Sequence, residues 1–360
     1  MKTYQTKEQA IFITGMLRSG TTLLQRLLNL HPLADILYQP FMSFFVDVKN
    51  DFLSSMGYSK ENYPLGTLFL ENRYKPVDFN EYLKKYESSA HPVIEPSDFY
   101  QLFNMLLLKT INRNVVNVYG LKEVLCEEYA PFLADHGTKV VFILRDPRDV
   151  LTSMNYGRGE KYSGKVRPTL YNLRLWRKSV ALAVYLAMQN KALWIRYEDL
   201  VTDPYTQIKL VLDYIGLKSI SECKWDISIA RLDNIVWSGN SSFAEKKGIS
   251  TGSVGQYQKV LPASLIAYIE TVCGPEMSLL NYPLSRSPVD DPVAMLNQFQ
   301  EPVCPSHASV DPEFSLNANR IQEELNRLWL LKRESLPREA ESYFIYSDLW
   351  KIFKQSWLSH

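Results

Sequence analysis

The segment FITGMLRSGTTLLQRLLNLHP, from Phe12 to Pro32, has the pattern of a strand, a glycine-containing loop and a helix. Its apolar start favours a strand that ends at Gly15, and leucines after the loop recur at the spacing of one helix face. Gly20 allows successive backbone N–H groups to turn towards an anion at the start of that helix, where the helix dipole also favours negative charge. The segment predicts an anion-binding turn, although an ordinary strand-to-helix connection has the same pattern.

One position of this loop differs from the loops that bind nucleoside triphosphates. In the pattern G-x-x-x-x-G-K-[ST], the lysine reaches the β and γ phosphates and the next hydroxyl group holds magnesium. Here Thr21 occupies the lysine position, and Arg18 supplies a cation earlier in the loop. We therefore expect protein donors to hold the anion directly, without a metal ion. A magnesium-dependent kinase or nucleotide hydrolase is an alternative, and the missing lysine argues against it.

Strands and helices alternate through the body of the chain. KVVFILRD and ALWIRYEDL are apolar strand candidates, and a helical segment follows each of them. Before the first of these helices Asp146 is a candidate N-cap, Pro147 suits the first helical position, and Asp149 lies three residues after the cap. Gly216 is a candidate C-cap of the later helix. This alternation predicts an α/β fold of the P-loop type, with three layers in which helices flank a central parallel sheet.

A second anion site is predicted where KVVFILRD ends. Arg145 lies at the end of this strand, and Ser153 lies about two turns into the following helix. The two side chains can grip a phosphate, although a surface salt-bridge network in RDPRD is an equal alternative. Together with the first loop, the pair predicts a nucleotide that carries anions at both ends. A donor with a 5′-phosphosulfate and a 3′-phosphate has this pattern.

Composition excludes several classes of function. The chain has 360 residues, 46% of them hydrophobic, and 40 Lys and Arg residues balance 39 Asp and Glu residues. This near-neutral charge predicts no binding to nucleic acid or to an anionic membrane. No apolar run approaches the roughly 20 residues of a membrane-spanning helix, and we see no signal-peptide pattern. The four cysteines are too scattered for a zinc site or a disulfide scaffold, so we expect free thiols and a cytoplasmic location.

The end of the chain differs from the body. Residues 285–317 are rich in Pro, Ser and Asp, which favours a linker or a surface arm over regular structure. We therefore expect a catalytic domain at residues 1–284 and an extension at residues 285–360. From Ile321 to Leu331 apolar residues recur at helical spacing, and YFIYSDLWKIFKQSWL is a second helical candidate. We expect these helices to pack on the body or on a partner subunit of a homo-oligomer.

Four segments together resemble one enzyme family. GMLRSGTTLLQRLLNLHP and VVFILRDPRDVLTSM resemble motifs of the sulfotransferases that use 3′-phosphoadenosine 5′-phosphosulfate (PAPS) and release 3′-phosphoadenosine 5′-phosphate (PAP). IRYEDLVTDP and NSSFAEKKGISTGSVGQYQKVL follow in the family's order, so the resemblance covers about residues 10–284. It is greatest to the branch that contains carbohydrate, tyrosylprotein and many bacterial enzymes. The resemblance implies a PAPS-dependent sulfotransferase, with PAPS as co-substrate.

The resemblance also implies a set of donor-binding residues. Five loop residues would cradle the 5′-phosphosulfate, namely Arg18, Ser19, Gly20, Thr21 and Thr22. Arg145 and Ser153 would be the ligands of the 3′-phosphate. Tyr197 would approach the adenine, although a tyrosine at the end of a strand is as often part of the core. Lys247 and Gly248 would be the main contacts in a loop that closes over the donor.

The catalytic residues are less well defined. Lys122 matches a lysine that many family members place beside the bridging oxygen of the phosphosulfate, with a solvated strand-edge lysine as the alternative. Together with Arg18, it would meet the negative charge that develops on the leaving phosphate. The acceptor must also lose a proton to a general base. An ungapped count from the loop arginine places Gln39 where many relatives have a glutamate, and a glutamine cannot accept a proton at neutral pH.

Three other residues are candidates for the base by elimination: Glu123, beside the lysine just described, and His91 or Glu95 in a polar insertion. We favour Glu123 narrowly over His91 because it adjoins that lysine, which requires that the strand has ended or twisted by residue 123. His31, before a proline, and His136, before a glycine, are interpreted as structural.

The sequence does not define the acceptor. Residues 40–114 are rich in Tyr and Phe and would form much of its pocket, which suits a sugar, a phenol, a polyketide chain or an alkaloid equally well. We expect transfer of a sulfuryl group to a hydroxyl or amine of a small metabolite. A non-catalytic nucleotide-binding scaffold is the second alternative, because Gln39 replaces the usual base.

Overall fold

The computed structural model describes most of the body and several segments of the extension. The described residues are 9–40, 42–58, 100, 103–104, 107, 117–157, 165–218, 249–285, 292–302, 309–310, 318–338 and 343–358.

A five-stranded parallel sheet forms the centre of the fold, in the order β2-β3-β1-β4-β6. Two further short strands, β5 and β7, pair with each other in parallel. The strands are β1 (Gln9–Thr14), β2 (Ala34–Tyr38), β3 (Val118–Lys122), β4 (Lys139–Leu144), β5 (Lys165–Val166), β6 (Ala192–Arg196) and β7 (Ser309–Val310). Because all five central strands run in the same direction, their carboxyl ends lie along one edge of the sheet.

Helices follow the strands as the sequence pattern predicts. In the described residues they are α1 (Thr21–Leu28), α2 (Met42–Ser55), α3 (Ala130–Asp135), α4 (Pro147–Asn155), α5 (Thr169–Met188), α6 (Tyr197–Thr202), α7 (Pro204–Ile215), α8 (Tyr257–Val260), α9 (Ala263–Leu279), α10 (Pro292–Gln298), α11 (Ala318–Leu331) and α12 (Ser347–Leu358). Asp146 is the N-cap of α4, with Pro147 at its first position, and Gly216 with φ of 79° is the C-cap of α7. These local predictions are confirmed.

The two faces of the sheet are covered by different helices. In β1 the side chains of Ile11 and Ile13 pack in one buried cluster with α1 and α7, whereas Phe12 packs in the other cluster with α2, α5 and α9. This alternation is the period of an extended strand whose two faces are both buried. The three-layer fold, with a central parallel sheet flanked by helices, is confirmed.

The C-terminal helices pack on the body of the same chain. The ring of Trp357 in α12 lies so close to Gly274 in α9 that a side chain at residue 274 has no room. The indole of Trp350 donates a hydrogen bond of 2.9 Å to the carbonyl of Leu330 in α11, which joins the two helices. The prediction of two helices is confirmed, and their packing partner in this structure is the body.

One expectation for the extension is corrected. Residues 285–317 were expected to lack regular structure, yet α10 lies within this range. Pro292 occupies the first position of α10, where a missing N–H costs nothing, and the side chain of Leu296 is buried against the body. Tertiary burial of one apolar residue outweighs the unfavourable composition around it.

Candidate active site

The predicted site residues that the structure describes meet at the carboxyl edge of the sheet. Lys122, the last residue of β3, pairs in register with Ile13 of β1 and Tyr38 of β2. The backbone N–H of Gln39 donates a hydrogen bond of 3.0 Å to the carbonyl of Lys122. The residue at the usual glutamate position therefore lies directly beside the lysine.

The loop after β1 has the backbone of an anion-binding turn. Arg18 and Gly20 both have positive φ, at 71° and 100°, which turns successive N–H groups towards one side of the chain. A Cβ atom at residue 20 would come within 2.5 Å of the ring of Tyr197, so only glycine fits there. The hydroxyl of Ser19 is buried and has no hydrogen-bond partner among the described residues. Such a donor suits a ligand oxygen.

Arg145 connects the loop to the other strand ends. Its guanidinium donates to the carbonyl of Arg18 at 3.0 Å and to the carbonyl of Ser253 at 2.6 Å, and it lies 4.5 Å from the ring centre of Tyr197. Arg18 in turn donates from Nε to the hydroxyl of Ser153 at 3.0 Å. The loop cradle, Arg145, Ser153 and Tyr197 are thus brought together. Tyr197 begins α6 instead of ending the strand before it.

The side chain of Trp176 holds the backbone of Arg145 through a hydrogen bond. This buried indole on α5 donates a hydrogen bond of 2.8 Å to the carbonyl of Arg145. Sequence reasoning missed it, because an apolar helix face gives no sign of the one polar atom that it aligns.

The RDPRD segment contains both of the arrangements that the sequence left open. Arg148 forms ion pairs of 2.6 Å with Asp146 and with Glu270, and its side chain is only 1% exposed. The expected surface network is therefore a buried network, whereas Arg145 is directed to the loop. The two arginines diverge because Arg145 lies before the N-cap of α4 and Arg148 lies within the helix.

Asp149 has a different role from the one that its position suggests. An acidic residue three positions after an N-cap often accepts from the N–H of the cap, but the N–H of Asp146 donates to Glu198 at 3.0 Å. Asp149 instead accepts from the N–H groups of Gly255 at 2.7 Å and Tyr257 at 2.9 Å. Burial raises its pKa above the ordinary value, although Arg145 and these donors oppose the shift. Asp149 holds the segment that contributes Ser253 to the site.

Lys122 is a buried lysine at the centre of the edge. Its residue is 1% exposed, and its Nζ lies 4.1 Å from the ring centre of Tyr38. Desolvation lowers its pKa to about 8, although the nearby charge of Glu123 acts in the opposite direction. The alternative of a solvated strand-edge lysine is wrong.

Glu123 is wholly buried beside Lys122. Its N–H donates 3.0 Å to the carbonyl of Ile13, so strand-like pairing continues one residue beyond β3. Adjacent residues of an extended strand point to opposite faces. The side chains of Lys122 and Glu123 are therefore expected on opposite faces of the sheet, which argues against Glu123 as a base beside Lys122.

Four candidate residues lie outside the described residues, namely His91, Glu95, Lys247 and Gly248. The two histidines interpreted as structural both contact backbone: His31 Nε2 lies 3.2 Å from the carbonyl of Lys218, and His136 Nδ1 lies 2.9 Å from that of Phe132.

The described part of the chain contains neither a candidate metal site nor a candidate membrane span. No group of three or more His, Cys, Asp or Glu residues suited to a metal ion occurs in the described part of the chain. None of the helices there is both long and apolar enough to cross a membrane.

Comparison with known proteins identifies the family. Residues 10–222 match the model of the Sulfotransferase family, and no curated protein matches the chain. The sulfotransferase domain of the curacin biosynthetic pathway is 18% identical, with a TM-score of 0.46, over 77% of this chain and 99% of that domain. The sulfotransferase domain of the Synechococcus PCC 7002 olefin synthase is 20% identical, with a TM-score of 0.44, over 73% and 92%.

Mouse sulfotransferase SULT7A1, complexed with PAP, is 14% identical to the chain, with a TM-score of 0.41, over 75% of this chain and 85% of that one. The family match spans more than half of the 360 residues. This protein therefore belongs to the sulfotransferase family of enzymes.

Proposed function

We propose that this enzyme transfers the sulfuryl group of PAPS to a hydroxyl or amine of a small-molecule acceptor. One observation carries the proposal within the family. Arg145 binds the loop backbone at Arg18, and Arg18 binds Ser153, so a loop suited to one phosphate and a strand end suited to another form one continuous surface. A nucleotide with anions at its 5′ and 3′ positions can engage both ends of this surface.

The residues present suit such a donor. The Ser19 hydroxyl and Nε of Arg145 are buried polar atoms that have no hydrogen-bond partner among the described residues. Leaving such groups unsatisfied costs roughly 1–3 kcal/mol each, which ligand oxygens would recover. We assign the 5′-phosphosulfate to residues 18–22 and the 3′-phosphate to Arg145 and Ser153. Tyr197 would contact the adenine, and Lys247 and Gly248 would cover the donor.

The reaction is an in-line transfer. A bond forms between the acceptor atom and sulfur while the bond between sulfur and the oxygen of the 5′-phosphate breaks, and PAP leaves with the bonding electrons. Lys122 and Arg18, with the loop N–H groups, stabilise the charge on that oxygen. The acceptor proton passes to a base, for which Glu123, His91 and Glu95 are the candidates from the sequence.

We also propose a cytoplasmic location and a small metabolite as acceptor. Cys126 and Cys273 are free thiols buried in the core, which fits a reducing compartment. The aromatic residues between positions 40 and 114 would supply a pocket for an apolar acceptor.

Calorimetric titration tests the donor. PAP should bind to the parent protein without magnesium, and ATP should bind much more weakly. Arg145→Ala should weaken PAP binding by roughly 1.5–3 kcal/mol, about 10- to 150-fold in Kd, because a charge-assisted hydrogen bond is lost. Binding of adenosine 5′-phosphate, which lacks the 3′-phosphate, should change little.

Three outcomes would contradict the proposal. Equal affinity of Arg145→Ala and the parent for PAP would refute the assignment of the 3′-phosphate. Activity that EDTA abolishes and magnesium restores would favour the kinase. Transfer from PAPS to a broad set of hydroxylated and amino metabolites is measured by the mass gain of SO₃. PAP binding without any such mass gain would favour the scaffold.

A further inference from the structure

A cavity of about 190 Å³ lies next to the loop. Its walls come from α2, from α5 and the residues before it, and from the chain that follows β3. It reaches the loop at Met16, and its other lining residues are Val46, Lys49, Asn50, Leu125, Glu127, Glu128, Arg167, Tyr171, Leu175 and Lys178. An engineered cavity of about 150 Å³ holds a benzene molecule, so this one can hold a group of about the size of one ring.

A backbone turn brings Glu127 into this cavity. Leu125 has φ of 63°, an unusual conformation for a bulky residue, and Nζ of Lys49 donates 2.7 Å to its carbonyl. The chain leaves the sheet edge at Lys122, turns at Leu125 and enters a short 3₁₀ helix that starts at Glu127. Glu127 is 7% exposed and lines the cavity together with Met16 of the loop. The turn thus places a carboxylate in a cavity that the donor loop also borders.

The pKa values of the two glutamates that line the cavity are shifted in opposite directions. Glu128 accepts from Nζ of Lys178 at 2.7 Å and lies 3.5 Å from Nζ of Lys49, and these two charges hold its pKa at about 2 despite burial. Burial and the charge of Glu128 raise the pKa of Glu127 to about 7, although Lys49 and Lys178 act in the opposite direction. Two carboxyl groups with such separated pKa values have separate roles. Glu128 is a fixed anion, and Glu127 can exchange a proton near neutral pH.

The charges around the cavity limit the acceptor. Besides the two glutamates, three cationic side chains line it, from Lys49 on α2, from Lys178 on α5 and from Arg167 before α5, and the thiol of Cys126 is an additional titratable group near Glu127. Among the described residues that line the cavity, three cations outnumber the two carboxyl groups. An ammonium group is therefore disfavoured here, whereas a neutral hydroxyl group is not. Val46, Leu175 and Tyr171 supply walls for an apolar ring.

We propose that this cavity binds the reacting end of the acceptor, a neutral hydroxyl group on a ring-sized apolar body, and that Glu127 is the general base. The inference rests on the proposed function, because it assumes a sulfuryl donor bound at the loop. The hydroxyl oxygen forms the bond to sulfur, the bond to the 5′-phosphate oxygen breaks, and the hydroxyl proton passes to the Glu127 carboxylate. The products are a sulfate ester, PAP and protonated Glu127, so the enzyme performs O-sulfation.

Binding to the full chain loaded with PAP tests the cavity, with benzyl alcohol and benzylamine as probes in ligand-observed NMR. Benzyl alcohol should bind, and benzylamine at pH 7 should bind at least about tenfold more weakly because its ammonium group meets an excess of cations. Leu175→Trp should fill the cavity and abolish alcohol binding without changing the Kd of PAP. Equal binding of the two probes, or alcohol binding that survives Leu175→Trp, would overturn the inference.

Turnover of benzyl alcohol with PAPS tests the base. Glu127→Gln should lower kcat on the order of 10²- to 10⁴-fold, with the Kd of PAP nearly unchanged. In the parent kcat/KM should fall as pH decreases below about 7, because Glu127 becomes protonated, and the variant should lose this break. Glu123→Gln tests the rival candidate for the base, and it should keep the break near pH 7 because Glu127 is still present.

The other possible results distinguish a failure of the acceptor and base assignment from a failure of the proposed function. Loss of kcat in Glu123→Gln but not in Glu127→Gln, or in neither variant, would overturn the role of Glu127. A parent that binds PAP but neither binds nor sulfates the alcohol would overturn the assignment of the acceptor alone. A parent that does not bind PAP would refute the proposed function itself.

Discussion

At the scale of single residues, Lys122 is a buried cation at the proposed donor site. An isolated ammonium group loses hydration on burial, and this cost lowers its pKa from 10.5 to about 8. The folded protein binds this proton less tightly than the unfolded chain does. The free energy of unfolding therefore decreases as pH falls from 10.5 through about 8. We expect an anionic ligand bound at the proposed site to recover part of this energetic cost at neutral pH.

PAP binding should therefore be coupled to proton uptake at Lys122. At pH 8 the lysine is about half protonated, and the bound anion should raise its pKa, so binding should take up as much as about half a proton. Calorimetry in two buffers with different ionisation enthalpies measures this number. Lys122→Met should abolish the uptake, and at pH 6 the parent and the variant should take up the same number of protons. Equal uptake by both proteins at pH 8 would contradict the role assigned to the lysine.

At the scale of elements, the N-terminal end of α4 organises the proposed donor site. The N–H of its N-cap residue, Asp146, donates a hydrogen bond to Glu198 of α6. Asp149, one turn later, binds the N–H groups of Gly255 and Tyr257 and so holds a distant segment over the strand end. The same segment presents the carbonyl of Ser253 to Arg145. One helix thereby fixes three parts of the chain around the proposed 3′-phosphate site.

Asp149→Asn should weaken PAP binding through this segment. The amide oxygen of asparagine can accept only part of what the carboxylate accepts, and a hydrogen bond to a charged group contributes about 1.5–3 kcal/mol. We expect the Kd for PAP to rise while the fold is retained. In the Arg145→Ala background the same change should have a smaller effect, since the segment acts through Arg145. A fully additive double mutant, measured by calorimetry, would show that Asp149 acts elsewhere.

At the scale of the whole molecule, a buried ionic network joins the C-terminal helices to the body. Glu324 of α11 accepts from Arg174 at 2.8 Å and Arg177 at 2.6 Å, both on α5, and from Arg327 at 3.0 Å. Glu276 of α9 also accepts from Arg177, at 2.8 Å. The two α5 arginines flank Trp176, which supports Arg145. The network therefore connects the extension to the donor site through a single helix.

Removing the charge of Glu324 should destabilise the whole chain. Glu324→Gln removes the negative charge that three buried arginines share, and breaking a buried ion pair typically costs about 3–5 kcal/mol in the free energy of unfolding. Glu323→Gln is the matched control, because its side chain is 35% exposed and such pairs contribute at most about 1 kcal/mol. Urea unfolding followed by circular dichroism measures both. Equal effects of the two substitutions would contradict a buried network.

The pH dependence of this difference gives a second check on the same residue. The arginines hold the pKa of Glu324 at about 2, below the ordinary 4.5. Its contribution to stability is therefore present above pH 4.5 and is lost as pH falls towards 2. The gap in unfolding free energy between the parent and Glu324→Gln should narrow over that interval.

Much of the fold follows from local patterns. The strand before Gly15, the cap at Asp146 and the turn at Gly216 were predicted because hydrophobic periodicity and capping depend on residues close in the chain. The same reasoning placed Arg145 and Ser153 near each other in advance, and in the structure each of them contacts Arg18. The family pattern added Lys122 and Tyr197.

The sequence by itself thus determined the layers of the fold and the identity of the family. Only the tertiary structure decided which distant groups meet: the carboxylate of Asp149 with Gly255, the carboxylate of Glu198 with the α4 cap, and Glu127 with the cavity beside Met16. These contacts join residues about 50 to more than 100 positions apart, and local propensity carries no information about such distances. The shifted pKa values also arise there, because desolvation and neighbouring charge exist only after the chain has packed.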